Sequence, residues 1–146
     1  MEKETLKGHP IQLEFVGVKE LQAKTFTPPS PDNEFKIETK HIKMNVGHGE
    51  YDKEKKMLPV QITLEIGNNN QKTSKLPLYI KVAIIGIFKT VEKNPNIDAV
   101  HRFVKNNATH LLHPFLREHV FALSARCGVR PIILPLVTVS SALQKK

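Results

Sequence analysis

The reactive side chains that stand out first in this sequence are its seven histidines. His101, His110, His113 and His119 lie close together, and His110 and His113 are three residues apart, a spacing that can place two metal ligands on one helical turn. A helical zinc site also needs a third protein ligand and acids that orient the imidazoles. Glu118 is the sole acid between residues 109 and 127, and on a helix it does not share a face with His113. The histidines therefore read as polar-face and partly buried side chains, and no metal is expected. A nucleophile–base pair finds no support either. Cys127, the one cysteine, falls on an apolar stripe where it behaves as a small hydrophobe. There is no G-x-S-x-G, Walker A loop, dinucleotide glycine fingerprint or H-E-x-x-H, and the acids are scattered. The expectation is a non-enzymatic protein without a cofactor.

Charge points to partners. The net charge is +8, and it is unevenly placed. Residues 1–65 hold ten Lys and Arg against eleven Asp and Glu, whereas residues 66–146 hold twelve against three. A basic second half suits an acidic partner, a nucleic acid or an anionic surface, and equally a solvated lysine face that keeps a protein soluble. The basic residues are not interleaved with aromatics and there is no Trp, so the stacking platforms of nucleic-acid binders are missing.

A chain of 146 residues, 40% of them hydrophobic, is the size of one packed domain, taken as residues 1–146. A single cysteine rules out an intrachain disulfide. The run at residues 82–88 is the longest apolar stretch, and it is far shorter than the ~20 residues that span a bilayer. MEKETLK at the start is unlike a signal peptide. A cytoplasmic protein with no membrane insertion is expected.

The elements that must position these residues begin with strands. IQLEF, at residues 11–15, alternates with period two; the apolar phase then slips to Val16 and Val18, and a β-bulge is expected at Gly17. TPPSPDN follows, with three prolines in four positions, and reads as an extended crossing rather than a hairpin. A second strand is expected from Phe35 to Val46, with a phase shift near Thr39. The third runs through Val60, Ile62, Leu64 and Ile66. The fourth begins at Leu78, and near its end it is apolar on both faces, which predicts cover on both sides. After Phe88 the pattern turns helical. A first helix is predicted around residues 97–105, with Asn94 or Asn96 as N-cap. A break is predicted at NNA, and then a helix of about 18 residues from Thr109 that stops at Gly128. Four strands joined by turns and then helices give an α+β fold: a four-stranded antiparallel sheet with helices packed on one face.

Two segments carry a resemblance. IIGIFKTVEK contains Gly86, Ile87 and Phe88. The second, ATHLLHPFLREHVFALSARCGVRPIILPLVTVS, contains Leu112, Pro114, Phe115, Arg117, Glu118, Gly128, Pro131, Leu134 and Pro135 in the order Pro-Phe-x-Arg-Glu, glycine stop, Pro, Leu-x-Pro. In these the chain resembles the SecB-type protein-export chaperones, and GVKELQAKTFTPPSP is similar to that family's first strand and crossover. The resemblance implies the same α+β fold, pairing of chains into dimers or tetramers, and a groove that holds unfolded or dedicated client polypeptides. Phe26, Phe35, Phe88, Leu134 and Leu136 are the residues it suggests for client binding. A second class of function stays open beside it: a structural or adaptor oligomer whose basic half meets an acidic protein or nucleic acid.

Overall fold

The computed structural model describes residues 3–28, 30, 32 and 36–136. Four strands are formed: β1 (Ile11–Thr25), β2 (Ile42–His48), β3 (Met57–Ile66) and β4 (Leu78–Thr90). A single 3-10 turn (Thr39–His41) precedes β2, and one helix, α1 (Ile97–Arg126), follows the sheet. The strands pair antiparallel throughout, in the order β1-β4-β3-β2. β1 and β2 are thus the two edges of the sheet.

Period-two alternation in β3 and β4 sorts side chains onto two faces. Leu58, Val60, Ile62, Leu64 and Ile66 of β3, with Leu78, Ile80, Val82, Ile84 and Phe88 of β4, are all at most 1% exposed. Over them lies α1, whose Val100, Val104, Ala108, Leu112, Leu116 and Val120 recur at spacings of four. Gly86 permits the approach: a Cβ there would stand 2.8 Å from Leu112 Cδ2 and 3.3 Å from Leu13 Cδ1.

Several expectations are corrected. The bulges of β1 are not at Gly17, which pairs in register with Ile85; the register slips between Leu13 and Phe15 and between Val18 and Glu20. Inserting Glu14 flips the phase, so Phe15 leaves the core side and Val16 takes its place. The second strand starts at Ile42, because the phase shift near Thr39 is the 3-10 turn itself; Phe35 lies outside the described residues. The NNA segment does not end the helix. Asn107 Nδ2 donates to the Phe103 carbonyl at 2.8 Å, satisfying its amide within the helix, and Ala108 is buried against the core. That packing outweighs the modest helix penalty of two asparagines. Pro114 sits inside α1, where it removes one backbone donor. Asn96 is the N-cap, its side chain accepting from Ala99 N at 3.2 Å, and Gly128 takes φ 75° just past the helix end, as the glycine stop requires.

After Gly128 the chain turns back along α1. Ile132 N donates to the buried Ser124 Oγ at 2.7 Å, Arg117 Nε donates to the Leu134 carbonyl at 3.2 Å, and His113 Nε2 bonds to the Pro135 carbonyl at 3.1 Å. The partners move from residue 124 to 117 to 113, so residues 132–135 run antiparallel to the helix. Ile132 and Leu134 enter the core, while Ile133 and Leu136 point outward.

Candidate functional site

The face of the sheet opposite α1 has no layer over it among the described residues. The expectation that the end of β4 is covered on both sides is corrected at Ile85 and Ile87, which are only half-buried, whereas Tyr79 and Ala83 further back on the same face are buried. Phe15 pairs with Ile87, and Gly17 with Ile85. The Phe15 ring lies over Gly17, with Cε1 at 2.9 Å from the place a Cβ would occupy, and the ring is 62% exposed. Phe15, Ile85 and Ile87 thus form an apolar patch across β1 and β4 on this open face.

Polar contacts frame that patch. Glu14 pairs with Lys89 at 3.6 Å, Glu20 with Lys81 at 3.0 Å, and Lys19 Nζ donates to Gln61 Oε1 at 3.1 Å. Beyond them Tyr79 OH donates to Glu65 at 2.7 Å; burial, and then the Glu65 carboxylate, push that phenol up from its ordinary value. Side chains already paired within the face keep their geometry when the centre is covered, which is the apolar-core, polar-rim arrangement of binding surfaces.

Beside the patch a groove of about 510 Å³ crosses β2, β3 and the middle of β4. Asn45, Gly47, Gly49, Pro59, Gln61 and Ile85 line it. Its width follows from sequence. Gly47 brings no side chain, and a Cβ on Gly49 would meet Pro59 Cγ at 2.6 Å. His48 stands at the groove's end; burial, then the nearby charges of Lys105 and His101, hold its imidazole below the usual histidine range.

On the helix side α1 packs chiefly on β4, and Val18 and Leu21 of β1 and Leu111 and Phe121 of α1 are further exposed apolar side chains.

The residues singled out from sequence scatter over these regions. Phe88 and Leu134 are core side chains at 1% and 0% exposure and are out of reach of any client. Phe26 is half-buried where β1 ends, its amide donating to the Pro77 carbonyl. Leu136 is exposed. The motif residues are architectural: Gly86 seats α1, Phe115 packs against the core, Arg117 and the Pro135 carbonyl fasten the returning segment, and Gly128 turns it. Pro114, Glu118 and Pro131 are exposed. The histidines do not converge. His113 of α1 is buried against the returning segment, His110 is exposed, and His9 stacks on Phe103 with ring centroids 4.5 Å apart. Among the described residues no three metal-ligating side chains come together, and no helix is long and apolar enough to cross a membrane. Cys127 is buried, which pushes its thiol up and away from reactivity. Phe15, Ile85 and Ile87 were missed because a period-two reading puts the phase slip of β1 at Gly17 rather than Glu14, which leaves Phe15 on the face of Leu13, and because Ile85 and Ile87 read as covered.

No family model matches the sequence. An uncharacterized protein of Methanocaldococcus jannaschii, MJ0357, is 26% identical over 121 residues, spanning 71% of this chain and 77% of that protein. Among solved structures, the SecB-like chaperone Rv1957 of Mycobacterium tuberculosis, in complex with a ChAD peptide from the HigA1 antitoxin, matches with a TM-score of 0.63. The match covers 88% of this chain and 91% of that one at 15% identity. The chain has a SecB-like fold, reached with a divergent sequence.

Proposed function

We propose that this protein is a non-enzymatic polypeptide-binding chaperone that holds extended segments of unfolded or dedicated clients against the open face of its sheet. The observation that carries the reading is the apolar centre of Phe15, Ile85 and Ile87 beside a glycine-walled groove, framed by side chains that are already paired. An extended client segment would place alternate side chains on Phe15 and in the groove, and the burial would repay the ordering of the segment at ~25 cal/mol per Å² of apolar surface. The peptide complex of the similarly folded mycobacterial chaperone supports the same class of partner. Self-association into a dimer or tetramer belongs to this proposal, with Val18, Leu21, Leu111 and Phe121 as the surface that a second copy would cover.

The test is suppression of aggregation of a chemically unfolded protein at stoichiometric ratios. The wild-type chain is expected to suppress it, and a Phe15→Ser, Ile85→Ser double variant with unchanged circular dichroism is expected to lose most of that effect. Equal suppression by the variant would move the site off the open face. No suppression of several unrelated proteins, together with no specific partner on affinity capture, would overturn the function.

A further inference from the structure

We propose that the cleft between the β2–β3 turn and the start of α1 is an anion site that takes a small oligophosphate. It shares no residue with the open-face groove and stands or falls separately from the function proposed above. The cleft holds about 290 Å³ and is lined by Lys53, Lys56 and Lys93 with Tyr51, Asn94, Pro95 and Ile97. Three lysines thus line one small space, and no acidic residue is among its lining. Among the described residues none of the three is in an ion pair; the pairs formed involve Lys40, Lys81 and Lys89. The neighbouring Asp52 is exposed and engaged in its own turn, its Oδ1 accepting from Glu54 N at 2.9 Å and Lys55 N at 3.0 Å.

The lysines stand on fixed backbone. Lys56 is held at φ 54°, the left-handed region where glycine or asparagine is the ordinary choice. Its carbonyl accepts from Thr90 N at 3.0 Å, and Tyr51 OH bonds to Thr90 Oγ1 at 2.7 Å, so the turn is tied to the end of β4 from which Lys93 follows. On the far wall the 30-residue helix begins at Ile97, where Asp98 in the first turn partly offsets the positive end of its dipole.

These features select the ligand class. Lysine acts as a point charge and suits phosphate oxygens from several directions, whereas planar carboxylate recognition favours the arginine fork, and no arginine lines the cleft. One acidic side chain brings a single charge into this volume; a di- or triphosphate brings several. Tyr51 is the one aromatic ring in the lining, its hydroxyl bonded to Thr90 Oγ1 at 2.7 Å. The phosphate chain is therefore the recognised part, whether it arrives as a free oligophosphate or in the backbone of a nucleic acid.

Thermal unfolding with inorganic tripolyphosphate tests this, against sodium chloride at matched ionic strength. At a hundredfold excess over Kd the wild-type melting temperature is expected to rise by roughly 5–10 °C beyond the salt control. A Lys53→Ala, Lys56→Gly, Lys93→Ala variant is expected to lose that rise, while Lys24→Ala, on the distant part of β1, keeps it. A rise equal to the salt control, or an undiminished rise in the triple variant, overturns the proposal. So does a response to single-stranded DNA without one to tripolyphosphate, which would make the basic surface a nucleic-acid surface instead. Should the triple variant fail to fold, calorimetric titration of Lys93→Ala decides: about tenfold weaker binding is expected, and an unchanged Kd refutes the site.

Discussion

The two faces of this sheet use the same strands and much the same apolar vocabulary, yet one is the core and the other is a surface. On the face under α1, Ile62, Leu64, Ile80 and Ile84 are completely buried. On the opposite face Phe15 is exposed and Ile85 and Ile87 are half-buried. The residue types do not decide this; the cover does. A helix with apolar residues every four positions and a returning segment that adds Ile132 and Leu134 close one side. The other side is left with an apolar patch across β1 and β4, flanked by the Glu14–Lys89 and Glu20–Lys81 pairs. Burial is thus concentrated on one face.

That division predicts how substitutions should separate. The largest effect belongs to Leu112, fully buried where α1 meets Gly86. Leu112→Ala is expected to cost about 2–5 kcal/mol, the range for a truncated core leucine, and urea unfolding will measure it. A cost near zero would mean that α1 does not hold the covered face. Next comes Ser124, whose buried hydroxyl accepts from Ile132 N and donates to the Phe121 carbonyl at 3.0 Å. Ser124→Ala leaves a buried amide without its partner and should cost about 1–3 kcal/mol, with loss of hydrogen-exchange protection at Ile132. If that amide stays protected, the returning segment is held by the Arg117 and His113 contacts alone.

Smaller effects sharpen the contrast. Lys56→Gly relieves a left-handed lysine and is expected to raise stability by up to about 1 kcal/mol net of glycine's entropy, with the opposite sign to its effect on tripolyphosphate binding. Phe15→Ala removes an exposed ring and should change stability by no more than about 0.5 kcal/mol while weakening client holding. A cost as large as that of Leu112→Ala would erase the distinction between the faces.

Particular residues show how much of this was readable in advance. The alternation of Val60, Ile62, Leu64 and Ile66 writes β3 and its face directly, because a strand buried on one side needs that pattern. The helix from Thr109 and its glycine stop were equally legible. The first helical stretch was legible too, but its fusion with the second was not: asparagine is a weak breaker locally, and only the burial of Ala108 against the sheet decides the outcome. The open face was hidden for a related reason. Glu14 looks like an ordinary outward residue, and its role as a bulge exists only through pairing with β4. Motif residues such as Arg117 and Pro135 were visible, but their position in the line of contacts between α1 and its returning segment came from the fold.

The smallest expected effect lies at the junction of the two faces. His48 ends β2, lines the open-face groove, and is approached by Lys105 and His101 of α1. Burial and those charges disfavour its protonated form, so its imidazole titrates below the ordinary value of 6.5. Above that value His48 is neutral whether folded or not, and it adds no pH dependence. As pH falls below it, the unfolded chain takes up the proton first, and stability declines until the folded imidazole protonates as well. His48 is largely exposed, so the decline is shallow. The Glu38 carboxylate, held low by its hydrogen bond to Lys40, titrates beneath this window and does not confuse it. Urea midpoints measured from pH 7 to pH 5 should fall slightly for the wild type and less for His48→Gln, with Lys105→Ala in between because one repelling charge is gone. An identical decline in all three would place the titrating group elsewhere and remove α1 from the electrostatics of the groove.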